Sequence, residues 1–227
     1  MFIGHFGVGL GLKAVAPRVS LGTMFLASQF VDLLWPSLLL VGFEQVDIAP
    51  EVTRVTPLDF VHYPISHSLL MVFGWSVLFA LVYHLIRRHR GNAVFCGLAV
   101  MSHWLLDWVT HRPDLPLYPG GEALVGLGLW HSLWGTLLVE LSIFFVGVWF
   151  YLRHTRSRDR VGSVGLWLLL GFLALVYAGN IFGPPPPNAG AIAWTGQAQW
   201  LLVLWAYWVD KHREGTPKED ANGNSHA

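Results

Sequence analysis

Cysteine is nearly absent from this chain. Cys96 is the only one among 227 residues and lies in an apolar run, so neither an intrachain disulfide framework nor a cysteine metal cluster can form. Charge is scarce as well: Asp, Glu, Lys and Arg make up 12% of the residues, against roughly 25% in soluble domains. The 14 basic and 14 acidic residues cancel, which gives no electrostatic footprint for nucleic acid. The glycine-rich start lacks a basic n-region and a leucine-rich core, so no signal peptide is expected. Internal repeats and a soluble domain are also missing.

What remains is apolar. Hydrophobic residues reach 54%, the mean hydropathy is +0.49, and the twelve Trp suit aromatic belts at two membrane interfaces. A spanning helix needs about 20 apolar residues. Six segments meet or approach that length: Leu21–Phe43, Ser68–Ile86, Ala93–Thr110, Val125–Leu152, Val164–Phe182 and Ala193–Val209. Pro36 predicts a kink in the first. The fourth is too long for an upright span, so it tilts or begins near Leu129. Met1–Pro17 is short and glycine-rich, and suits a half-membrane or re-entrant helix anchored by Lys13 and Arg18. Such a helix must pack on protein, and glycines at positions 4, 7, 9 and 11 permit close approach.

The connections alternate in charge. Lys13 and Arg18 precede the first span, and the next connection holds Glu44, Asp47, Glu51 and Asp59 against Arg54. Arg87, Arg88 and Arg90 follow, then a loop with Arg112, Asp114 and Glu122. Arg153, Arg156, Arg158 and Arg160 come next, then the uncharged Gly183–Pro187 turn, and finally Lys211, Arg213 and Lys218. This alternation predicts basic loops and the C-terminus on the cytoplasmic side. The expected fold is all-α, a polytopic membrane helix bundle of about six transmembrane helices plus the N-terminal half-membrane helix. Residues 1–213 form one integral membrane domain and 214–227 a disordered polar tail.

Within the third span, His103, Asp107 and His111 recur every four residues and so share one helix face. Ionisable groups at membrane depth are costly and mark a functional site by default. Counted from the cytoplasmic face at about 1.5 Å per residue, His5, Asp32, His103, Asp107 and Glu140 all fall between about 12 and 21 Å. Five such residues from four segments therefore share one slab, and His67 opens the second span above it, with Ser66 or Ser68 as helix cap. Histidine with carboxylate is the donor set of zinc, with manganese as an option. His103 and Asp107 are one turn apart and can share an ion, whereas His103 and His111 are about 12 Å apart along the axis. The expected metal ligands are Asp32, His67, His103 and Asp107, with His5 as a further ligand or orienting group. Asp107 and Glu140 are the candidate catalytic carboxylates, Glu140 as a further ligand or as a general base activating metal-bound water.

Four blocks around these residues resemble a bacterial inner-membrane family of predicted membrane-bound metal-dependent hydrolases. They are Gly4-His5-Phe6-Gly7, the Asp32-bearing span ending at Pro36, Ser66-His67-Ser68, and Ser102 to Asp107 followed by a proline-containing loop. The resemblance covers about the first 120 residues. The chain departs from it in offering only Asp32 at the first-span site, and in having Tyr63-Pro64-Ile65 where an arginine-glycine pair is common. The resemblance implies a metal-dependent hydrolase of the inner membrane without naming a substrate, and the expected reaction is hydrolysis of a lipid or lipid-linked ester or phosphodiester by metal-activated water. Three other readings stay open: a proton- or cation-coupled transporter using Asp32, Asp107 and Glu140, bis-histidine haem binding, and a structural membrane protein without catalytic activity.

Overall fold

The computed structural model describes residues 1–216. In chain order the elements are α1 (Ile3–Val15), α2 (Leu21–Ser28), α3 (Phe30–Leu40), β1 (Gln45–Ile48), β2 (Leu58–His62), α4 (Leu69–Arg87) and α5 (Arg90–Thr110). Then follow β3 (Leu115–Pro116), β4 (Leu124–Val125), a single 3-10 turn (Leu129–His131), α6 (Leu133–His154), β5 (Thr155–Ser157), α7 (Arg160–Phe182), α8 (Ala189–Gln197), α9 (Gln199–Lys211) and β6 (Arg213–Gly215). Side-chain oxygens accepting a free first-turn amide start several helices: Ser20 caps α2, Ser132 caps α6, Asp159 caps α7 and Asn188 caps α8. The strands form three small antiparallel pairs, β1 with β2, β3 with β4 and β5 with β6. They all lie at helix ends, so the bundle itself is helical.

By length and composition, α4, α5, α6 and α7 can each cross a membrane, and the bent pair α2–α3 makes five. The sixth expected segment is divided into α8 and α9 at Ala198. The first expected span is also divided, but not where proline predicts. Gln29 leaves helical geometry and α3 departs from α2 by 55°. Pro36 instead lies inside α3. Its missing N–H leaves the Asp32 carbonyl free, and the Gln199 side-chain amide donates to that oxygen at 3.5 Å. The fourth span starts at Leu133, after the 3-10 turn at Leu129.

Helix α1 is the most enclosed element. Ile3, His5, Phe6 and Leu10 have no exposed surface. Its main partner is α6, and the two run parallel because Gly7 faces Ile143 and Phe144 while Gly11 faces Gly147. A methyl group at Gly147 would collide with the carbonyl of Gly7. Thus the seam depends on small residues, which let backbones touch where lipid and side chain are equally apolar. On its other flank, Gly9 lies against Ser28 and Phe25 of α2. By contrast, α4 exposes Phe73, Val77, Leu81 and Leu85, an apolar face suited to lipid.

Contacts gather the basic connections at one end. The Lys13 ammonium is 3.1 Å from Asp210, Arg18 lies 3.3 Å from His89, and Arg213 donates to the Thr155 and Gly162 carbonyls. At the other end Arg112 pairs with Asp59, and the Arg54 amide donates to the Trp130 carbonyl. The tail begins later than expected, because Glu214 and Gly215 pair with Arg156 and Thr155 in the β5–β6 ladder. The rest of it, 217–227, lies outside the described residues.

Gly147→Ala is expected to lower the melting temperature in detergent, since overpacking a close helix contact costs about 1–3 kcal/mol. Gly171→Ala, at a position with open space around it, is the control and should leave the melting temperature unchanged or slightly raised.

Candidate metal centre

Helix α1 supplies His5, α3 supplies Asp32, the turn before α4 supplies His67, and α5 supplies His103 and Asp107. All five converge. His103 Nε2 lies 3.1 Å from Asp107 Oδ2 and 3.5 Å from Asp32 Oδ1. His67 Nε2 lies 3.5 Å from Asp32 Oδ1 and 3.8 Å from Asp107 Oδ2. His5 Nε2 is 3.1 Å from Asp107 Oδ1, and its ring stacks on His103 with centroids 3.7 Å apart and planes within 5°. Two overlapping groups, His5–His103–Asp107 and Asp32–His67–His103, bring their donor atoms within 4.8 Å of one another. The Met1 amino group also meets Asp107 Oδ1, at 2.5 Å.

Tautomers decide what these distances mean. His103 Nδ1 is 2.8 Å from the Ser28 carbonyl, which can only accept, so this nitrogen carries the proton. That carbonyl faces His103 where the helical path breaks at Gln29. A break between α2 and α3 therefore does chemical work: it turns a backbone acceptor toward a side chain on α5.

His67 is held in the same way. Glu44 accepts the amides of Ile65 and Ser66 at 2.8 Å and the Ser66 hydroxyl at 2.6 Å. With its hydrogen given to Glu44, Ser66 Oγ accepts from His67 Nδ1 at 2.7 Å. In their neutral forms both imidazoles thus present an Nε2 lone pair to Asp32 and Asp107. His103 Nε2 is buried and makes no hydrogen bond among the described residues, although two carboxylates lie within 3.5 Å. Lone pairs facing carboxylate oxygens repel unless a proton or a metal cation lies between them. Metal-ligating histidines are oriented in this manner, with the second nitrogen donating to a carbonyl or carboxylate-linked group. The donor set and its tautomers therefore fit a divalent ion.

Glu140 belongs to neither group. Its Oε2 accepts the amides of Phe2 at 2.9 Å and Gly4 at 3.3 Å, so it caps the N-terminus of α1. Ser68 occupies the N-cap position of α4 without capping it, and its hydroxyl donates to the Pro64 carbonyl. His111 leaves the stripe at the end of α5 and joins a second network at the rim. Its Nδ1 is 2.9 Å from Asp114 Oδ1, which also accepts from Tyr63 at 2.8 Å, while Arg112 donates to Oδ2 at 3.1 Å. Burial pushes the His111 pKa below its ordinary value. Burial alone would raise Asp114, yet hydrogen bonds from His111, Tyr63 and Arg112 hold it below the usual carboxylate range.

Sequence reasoning missed Glu44, Ser66 as a relay and the Ser28 carbonyl. The only signals for the first two were an acidic residue just beyond the first span and a serine directly before His67. A backbone carbonyl gives no sequence signal at all. Comparison with family models, curated proteins and solved structures returns no match for the chain.

Ser66→Ala should destabilise the fold by about 1–3 kcal/mol, the cost of leaving buried partners of a lost hydroxyl unpaired. Ser66→Thr should recover most of it. Thermal unfolding of both variants beside wild type checks this.

Proposed function

We propose that this protein is a membrane-embedded metal-dependent hydrolase that cleaves a lipid or lipid-linked ester or phosphodiester. The observation that carries this reading is the pair of imidazole Nε2 atoms, on His67 and His103, directed at two carboxylates inside an apolar bundle, with Nδ1 of each ring already engaged. Asp32, His67, His103 and Asp107 are the four ligands. Two imidazoles and two carboxylates suit zinc, with manganese as the alternative. Zinc held there supplies Lewis acidity and a water of lowered pKa.

The chain's own residues do the remaining work. His5 stacks on His103 and bonds Asp107 Oδ1, so it fixes the direction of that carboxylate. Ser28 and the Glu44–Ser66 pair hold the proton of each neutral ring on Nδ1, which leaves Nε2 as the ligating atom. Asp107 is better situated than Glu140 to accept a proton beside the ligands, since Glu140 is engaged with α1. Asp32 is the one ligand with appreciable exposure, 20% of its side chain, so substrate enters on the α3 side. The resemblance and the charge pattern support a bacterial inner membrane with the basic end cytoplasmic, and α8–α9 as a broken sixth crossing.

Elemental mass spectrometry of detergent-purified protein tests the metal. About one zinc or manganese per chain is expected. The His103→Ala/Asp107→Ala variant should lose it, and phospholipid hydrolysis with it. A folded wild-type protein that carries no metal after zinc is supplied would overturn the reading and leave a proton path through Asp32 and Asp107. A milder change is expected of Glu44→Gln, whose zinc affinity in a chelator competition should fall by about 10–100-fold, as for other groups that orient a ligating histidine.

A further inference from the structure

Helix α4 packs chiefly on α5, and on its other flank it meets α3 through the rings of Trp75 and Phe79, each 5.8 Å from that of Phe30. Between α4, the α2–α3 pair and α9 runs a groove of about 660 Å³. Leu26, Phe30, Trp75, Leu78 and Phe79 form its walls. From Trp75 to Arg87 it follows α4 for about 18 Å, close to the hydrocarbon depth of one leaflet. None of its lining residues belongs to the proposed ligand set.

One end of the groove is polar. Arg87 ends α4 and Lys211 ends α9, and both line the mouth and are exposed. Their neighbours there are already satisfied: Asp210 is paired with Lys13 at 3.1 Å, and Tyr207 Oη bonds Thr23 Oγ1 at 2.9 Å. Among the described residues, neither Arg87 nor Lys211 pairs with a carboxylate. Among the described residues, the mouth therefore carries two cations without a carboxylate partner beside apolar walls, at the end of the bundle where the other basic connections lie.

We infer that this groove binds one phospholipid with an anionic headgroup. One acyl chain lies against Phe30, Trp75 and Leu78, and the phosphate sits at Arg87 and Lys211. Apolar walls at this depth exclude water, so a hydrocarbon chain is the occupant they suit. The two cations supply the selectivity, because charge near an anionic headgroup adds affinity that a zwitterionic lipid cannot match. The site is independent of the metal reading and survives its failure.

The test uses the full chain in nanodiscs of equal parts phosphatidylglycerol and phosphatidylcholine, released into native mass spectrometry. Wild type should retain one phosphatidylglycerol, preferred by roughly 30-fold for two cations at the membrane surface. Arg87→Gln/Lys211→Gln should lose that preference, while Arg160→Gln, at the same end but outside the groove, should keep it. Phosphatidylglycerol carrying a diazirine on its acyl chain should label peptides from α4 and α9 of wild-type protein, and Leu78→Trp should suppress the labelling by filling the groove. Equal retention of the two lipids, undiminished preference in the double variant, or labelling confined to other helices would each overturn the proposal. The wild-type labelling decides the matter even if the double variant does not fold.

Discussion

The hydrogen bond from His103 Nδ1 to the Ser28 carbonyl connects the fold to its chemistry. It requires α2 to stop at Ser28, because within an unbroken helix that carbonyl would bond the amide of Asp32. The stop bends the path by 55° and begins a new helix, on whose first turn Asp32 lies. One discontinuity thus places a ligand-type carboxylate and orients the imidazole that faces it. Breaking a helix at membrane depth is tolerated only where protein replaces lipid around the freed groups. Here α1 and α5 provide that cover: Gly9 lies against Ser28, and Ala27 and Val31 pack with Ala99 and Val100.

The cluster is also electrostatically tense. Two carboxylates and three imidazoles occupy a volume few angstroms across, with His5, His103 and Asp107 almost wholly buried. Burying charge without partners is expensive, so such a group persists only when it is paired or holds a cation. Surrounding polar groups are consistent with a site that has been organised. Glu44 takes three hydrogen bonds to hold one serine and the turn that carries His67, while Asp114 takes three to fix the rim.

Much of this was legible in the sequence, and the limits have physical reasons. The four-residue spacing of His103 and Asp107 follows from helix geometry, and a depth count brought His5 and Asp32 to the same level. Charge alternation separated the two ends of the bundle. Glycines in α1 announced close packing, although not that Gly147 was the partner. What could not be read depended on the third dimension. The helix break at Gln29 has no proline to mark it, and Pro36 drew attention to the wrong place. Glu44 reaches Ser66 only because the β1–β2 hairpin returns the chain across the end of the bundle. Glu140 lies at the expected depth and its carboxylate meets the first amides of α1, a contact that depth along a helix cannot announce.

The glycine seam between α1 and α6 bears on the order of events during synthesis. Helix α1 leaves the ribosome first, but the surface that encloses it is more than a hundred residues away in the chain. Until α6 has been made, α1 has only α2 and α5 to pack on and lacks its main partner. The seam closes only once α6 has been made, so the buried cluster is complete only after three of the four long apolar helices exist.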